Sequence, residues 1–144
     1  SGRVGGGLVK LTPKPGGVEA EQVYFSPKLP NAQGGFVLVG DSLYGGGRST
    51  LICIDFKTGE ARWEERIPAS TSICYADNRL YLHLEDGDVM LVESSPEAFR
   101  ECGRFSPPNQ PDRGRARAWA YPVIANGQLD IRDSGTLYCY DIRQ

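Results

Sequence analysis

The fold class that this sequence predicts is all-β, arranged as a repeating series of four-stranded antiparallel units. Three observations predict it. Apolar runs are short, and turn signals interrupt them every ~8–12 residues. No segment carries a helical pattern, and 18 glycines and 10 prolines in 144 residues would break a long helix. Finally, one order of turn and strands recurs along the chain, which a sandwich has no reason to do.

Let the strands of one unit be A to D, from axis to rim. The C strand is the clearest, at residues 7–11, 51–55, 89–93 and 136–141. Asp55, Glu93 and Asp141 fall in register, separated by 38 and 48 residues. The longer interval contains the polar Pro/Gly/Arg stretch 106–117, an insertion confined to one connection. The B strand precedes it at 42–44, 79–82 and 128–131, each time after a hairpin turn: Gly40-Asp41, Asp77-Asn78 and Asn126-Gly127. Upstream lie A strands at 35–39, 71–75 and 121–125, and D strands follow C at 20–25, 61–67 and 99–105. The chain therefore reads C-D, A-B-C-D, A-B-C-D, A-B-C, in units at about 1–33, 34–67, 68–105 and 118–144.

Four strands repeating at roughly 40–50 residues make a β-propeller blade, so a partial ring of about three blades is expected. Closed rings need ~4–8 blades. The open edges are therefore expected to meet further blades, a protein partner or a second copy in a homo-oligomer, because unpaired outer strands are templates for association. The absent D strand after Asp141 fits a native C-terminus, and Ser1 in place of Met fits a chain whose earlier blades and leader are missing.

The stretch 51–63 shows the repeat most fully. Leu51, Ile52, Cys53 and Ile54 run together where a half-exposed strand would alternate, which predicts cover on both faces. Asp55 and Thr58-Gly59 then turn the chain, and Trp63 on the returning strand is expected to fill a gap between layers, its indole N–H finding one partner.

Composition excludes several classes. A net charge of −2 and a pI near 5.4 give no general attraction to nucleic acid. No apolar run approaches the ~18 residues of a membrane-spanning helix, and no secretory leader is present. Cys53, Cys74, Cys102 and Cys139 form no C-x-x-C pair, and His83 is the only histidine, so a zinc site is not expected. Cys53, Cys74 and Cys139 lie in apolar strands and read as small buried hydrophobes.

Residues 51–63, preceded by Asp41-Ser42-Leu43-Tyr44, resemble the repeat of quinoprotein-like (PQQ-like) β-propellers, roughly G-x-L-Y … L-x-A-L-D-x-x-T-G-x-x-x-W. The second unit keeps Asn78-Arg79-Leu80-Tyr81, Asp86-Gly87 and residues 89–93, with Phe99 and Phe105 where the tryptophan would be sought. The third keeps Asn126-Gly127-Gln128-Leu129 and residues 137–141. The likeness extends over about residues 7–142. It implies a bacterial propeller, periplasmic or secreted. Its relatives include scaffolds without a cofactor, such as outer-membrane assembly lipoproteins, and dehydrogenases that bind PQQ with calcium on the axis. The adjacent cysteine pair that covers the quinone in the methanol-dehydrogenase type is absent from this sequence.

Function is expected on the face formed by the D–A loops (26–34, 68–70, 106–117) and the B–C loops (45–49, 85–88, 133–135). The stretch from Asp112 to Trp119 is the most suggestive. Arg115 and Arg117 suit a bidentate clamp on a carboxylate, with Trp119 entering the inner strand as a stacking face. A quinone tricarboxylate would suit all three; the bland alternative is a solvated basic loop followed by a core tryptophan. Glu85-Asp86-Gly87-Asp88 has carboxylates for calcium but reads as a hairpin turn, as does Asp133-Ser134-Gly135. Gly5-Gly6-Gly7 and Gly45-Gly46-Gly47 lead into no helix and read as flexible connections rather than phosphate cradles. His83 stands between Leu82 and Leu84 with no nucleophile at a suggestive spacing, and no G-x-S-x-G elbow is present. The expectation is a non-catalytic binding or scaffold module without cofactor or metal; the alternative is part of a PQQ-dependent dehydrogenase.

Overall fold

A computed structural model describes residues 5–27, 29 and 34–143. Among the described residues, thirteen strands form four antiparallel sheets. The first is a hairpin of β1 (Gly6–Lys14) and β2 (Gly17–Ser26). The second runs β3 (Phe36–Val39), β4 (Ser42–Gly46), β5 (Thr50–Asp55), β6 (Ala61–Arg66). The third runs β7 (Thr71–Ala76), β8 (Arg79–Leu84), β9 (Val89–Glu93), β10 (Glu101–Phe105). The fourth is β11 (Val123–Ala125), β12 (Gln128–Asp133), β13 (Thr136–Asp141). Each strand pairs with its chain neighbour, so the order C-D, A-B-C-D, A-B-C-D, A-B-C is the order of the sheets. The inner strands β3 and β11 both lie against β7, which places the axis there.

The turns follow from local chemistry. Asp77 and Asn78 take φ of 48° and 58°, and Asn126 and Gly127 take 53° and 74°, the positive pair that a tight hairpin twisting with its strands requires. Several boundaries differ from expectation by a few residues, among them these three. The first hairpin is longer, turning only at Pro15-Gly16. β11 starts at Val123 rather than residue 121, because Pro122 has no N–H to give a ladder. β10 starts at Glu101 because Phe99 leaves the sheet to pack on Trp63, ring centroids 6.0 Å apart.

The core lies between sheets rather than within one. From β5, Leu51 and Cys53 pack with Leu80, Leu82, Met90 and Val92 of the third sheet, while Ile52 and Ile54 pack with Leu29 and Tyr24 on the other side. The two-faced burial expected of residues 51–54 is therefore present; all four are 0–4% exposed. In β9, Met90 and Val92 face the second sheet, while Val89 joins Leu129 and Ile131 of the fourth. Each such side chain contributes about 1.5–3 kcal/mol that a lone sheet could not supply.

At the ends the pattern lapses. Leu11 is 65% exposed on β1 and Leu137 69% on β13. Cys139 is accordingly exposed and Cys74 half-buried; only Cys53 behaves as a fully buried hydrophobe, because only its strand is covered on both sides. The glycine runs are not flexible connections either. Gly6 and Gly7 belong to β1, and Gly45 and Gly46 are buried in β4, where a Cβ would overlap the Phe36 ring and Thr71. Gly46 is small because β7 of the next blade approaches it closely, and Gly45 because the Phe36 ring of its own sheet lies over it.

Candidate functional site

The insertion between β10 and β11 forms the most elaborated part of the loop face. Its first anchor is Arg113, whose Nε donates to both Asp133 carboxylate oxygens at 2.8 Å, with Nη2 adding a further bond. The Asp133 side chain is 1% exposed and that of Arg113 13%. Bonded to the carboxylate, the guanidinium is held above its already high ordinary pKa. Gly87, at φ 96°, lets this happen: a Cβ there would collide with the Arg113 guanidinium and lie 3.0 Å from Gln110 Oε1, which accepts from Arg113.

A second anchor holds residues 118–120 as an extended segment. Ala118 N–H donates to the Glu85 carbonyl at 3.0 Å. The Ala120 carbonyl accepts from Ser72 Oγ at 3.0 Å and from His83 Nδ1 at 2.9 Å. His83 is wholly buried, its Nε2 has no partner among the described residues, and through Nδ1 the ring serves as a strut. Extended backbone alternates its side chains. Ala118 points inward at 2% exposure, and Trp119 points outward at 49%.

The two anchors decide where the predicted residues stand. Arg117 and Trp119 come together, lining a cleft of about 280 Å³ with Ala118, Ala120, Arg132 and Ser134. Arg115 is exposed on the same loop but does not line the cleft. Trp119 is neither a core residue nor part of an inner strand; it precedes β11 by four positions. Arg132, missed in the sequence, comes from β12, and its Nε reaches only the Ser134 carbonyl at 3.4 Å. Its signal was its place in the alternation: it is exposed between the buried Ile131 and Asp133. Asp133 closes β12 and turns inward, leaving Ser134, at φ 52°, to turn the chain.

The remaining candidates are structural. Asp86 accepts from the Asp88 N–H at 3.1 Å, and Asp88 accepts from Ser106 Oγ at 2.6 Å, so 85–88 is a tied turn. No group of three or more His, Cys, Asp or Glu among the described residues is placed to hold a metal ion. No helix of the structure is long and apolar enough to cross a membrane. Of the loop 26–34, residues 28 and 30–33 lie outside the described residues.

No protein-family model matches the sequence, and no curated protein is significantly similar to it. Among solved structures, BamB from Moraxella catarrhalis superimposes with a TM-score of 0.64 at 19% identity, over 85% of this chain and 38% of that one. A europium-containing methanol dehydrogenase superimposes with a TM-score of 0.59 at 14% identity, over 75% of this chain and 22% of that one. The fold is that of a PQQ-like β-propeller. The chain spans well under half the length of either propeller. Within this partial propeller, the Arg117–Trp119 cleft stands where the third and fourth blades meet on the loop face, between residues held by Glu85 and those of the β12–β13 turn.

Proposed function

We propose that the chain is a non-catalytic binding module, a rigid propeller segment whose loop face holds a carboxylate-bearing partner against Arg117, Arg132 and Trp119. The observation that supports it is how the charged groups are divided. Arg113 is consumed by buried Asp133, whereas Arg115, Arg117 and Arg132 make no ion pair among the described residues, and the last two line a cleft with an exposed indole. Planar guanidinium groups suit a carboxylate, and an indole face suits a flat or cationic group beside it. His83 and Asp133, two groups suited to proton transfer that adjoin the residues of the cleft, are buried in structural bonds. The uncovered faces of β1 and β13, with Leu11 and Leu137, are proposed as seats for further blades or a protein partner.

A second reading, part of a PQQ-dependent dehydrogenase, draws on the same cluster. The unpaired Arg117 and Arg132 beside the indole suit the carboxylates and ring of the quinone, but the described residues offer no cluster for its calcium. Titration of the full-length protein with PQQ and calcium distinguishes the two. The binding-module reading expects no shift in quinone absorbance and no rise in melting temperature. A saturable shift, lost on Arg117→Ala and Trp119→Ala, would overturn it in favour of the quinoprotein.

A further inference from the structure

Three D strands carry the same irregularity. In each, the register with its C strand slips by one residue: at Val23 opposite Leu8/Val9, at Arg62 opposite Cys53/Ile54, and at Cys102 opposite Leu91/Val92. The bulge aligns Tyr24, Trp63 and Gly103 as equivalent positions, because each pairs with the C-strand residue on the same side of the slip.

The first two residues do the same work. Tyr24 crosses from the first blade to the second and donates from its hydroxyl to the Phe56 carbonyl at 3.1 Å. Trp63 crosses from the second to the third and donates from Nε1 to the Ser95 carbonyl at 2.9 Å, beside Tyr44 and Phe99. At the third seam the equivalent residue is Gly103, where an added Cβ would meet nothing within 4 Å.

What surrounds that gap matches what surrounds Trp63. The row Tyr44–Cys53–Trp63 across the second blade corresponds to Tyr81–Leu91–Gly103 across the third. On the far side, the backbone N–H groups of Phe56, Ser94 and Ile142 each donate to the preceding A–B turn, at Asp41, Asn78 and Gly127. Ile142 and Arg143 thus occupy the positions of the two carbonyl acceptors, Phe56 and Ser95. Tyr81, Leu91, Gly103, Ile142 and Arg143 all line one cleft of about 790 Å³. That volume lies in the range of small-molecule sites.

We infer that this seam is a binding site for a small molecule of the indole or phenol type: an aromatic ring with a hydrogen-bond donor on its edge. The ring enters between Tyr81 and Leu91 on one blade and Ile142 on the next, and its donor meets a carbonyl at Ile142 or Arg143. The site is separate from the Arg117–Trp119 cleft and does not depend on it. The test is titration of indole into the full-length protein, followed by calorimetry and by amide chemical shifts. Saturable binding is expected, with shifts at Gly103, Leu91 and Ile142, and with affinity weakened about tenfold or more by Gly103→Trp, which supplies the ring covalently. Gly103→Leu, a smaller plug, is expected to block the site as well should the tryptophan variant fold poorly. Absence of saturable binding, or binding that survives both plugs, would overturn the inference.

Discussion

Trp63 illustrates how much a single residue settles. Its motif announced a large aromatic at a seam, and the indole N–H does find one partner, the Ser95 carbonyl, in the next blade. Because the ring joins two blades, Trp63→Ala is expected to cost about 3 kcal/mol, the low end for a core tryptophan since the side chain is half-buried, with the urea midpoint as the measure. Asp55 shows a second device. It accepts from Arg62 at 2.6 Å and from the Thr58 and Lys57 N–H groups, which together lower its carboxyl from 3.8 to about 2. A carboxyl lowered on folding stabilises above its unfolded value and loses that effect as pH falls through its folded one. Between about pH 4 and pH 2 the native protein should therefore lose more stability than Asp55→Asn, measured by urea midpoint against pH. A parallel decline would refute the assignment. Arg113 was legible only as one arginine among several. Which one is consumed depends on Asp133 turning inward and on the space at Gly87, and neither is a property of the loop's own sequence.

For whole strands, the C type was the easiest to find because cover on both faces removes alternation, leaving the continuous apolar runs of β5 and β9. D strands were harder. The bulge residues Val23, Arg62 and Cys102 have nothing in common chemically, so the shared slip, and with it the equivalence of Trp63 and Gly103, is visible only in the pairing. Phe99 and Phe105 were sought as substitutes for the tryptophan. In the structure Phe99 packs on Trp63 itself, and Phe105 stacks edge-on with Tyr140 at 5.0 Å. β13 carries a C-type sequence yet alternates between half-buried and exposed, since no further sheet of the described residues lies over it. Its Cys139 faces out opposite Asp130 on β12, and the hydrogen bond from its thiol to that carboxylate, with the carboxylate's charge beside it, pushes the thiol up. Less thiolate is then present at neutral pH, so Asp130→Asn should speed alkylation of Cys139 by iodoacetamide. An unchanged rate would remove Asp130 from the account.

The arrangement of the whole molecule was the most legible feature, because a repeat in sequence is a repeat in structure. What the repeat could not reveal was the function of its faces: the loop cluster is assembled from an insertion, a buried histidine strut and a turn of the next blade, brought together only by folding. The central claim is that thin sheets are stable because each is sheltered by the next. Hydrogen exchange, resolved strand by strand, tests it most directly. The amides of β5, β8 and β9 should be the slowest, opening only with global unfolding, while those of β1 and β2 exchange orders of magnitude faster. Equal protection in β5 and in the β1–β2 hairpin would contradict the account.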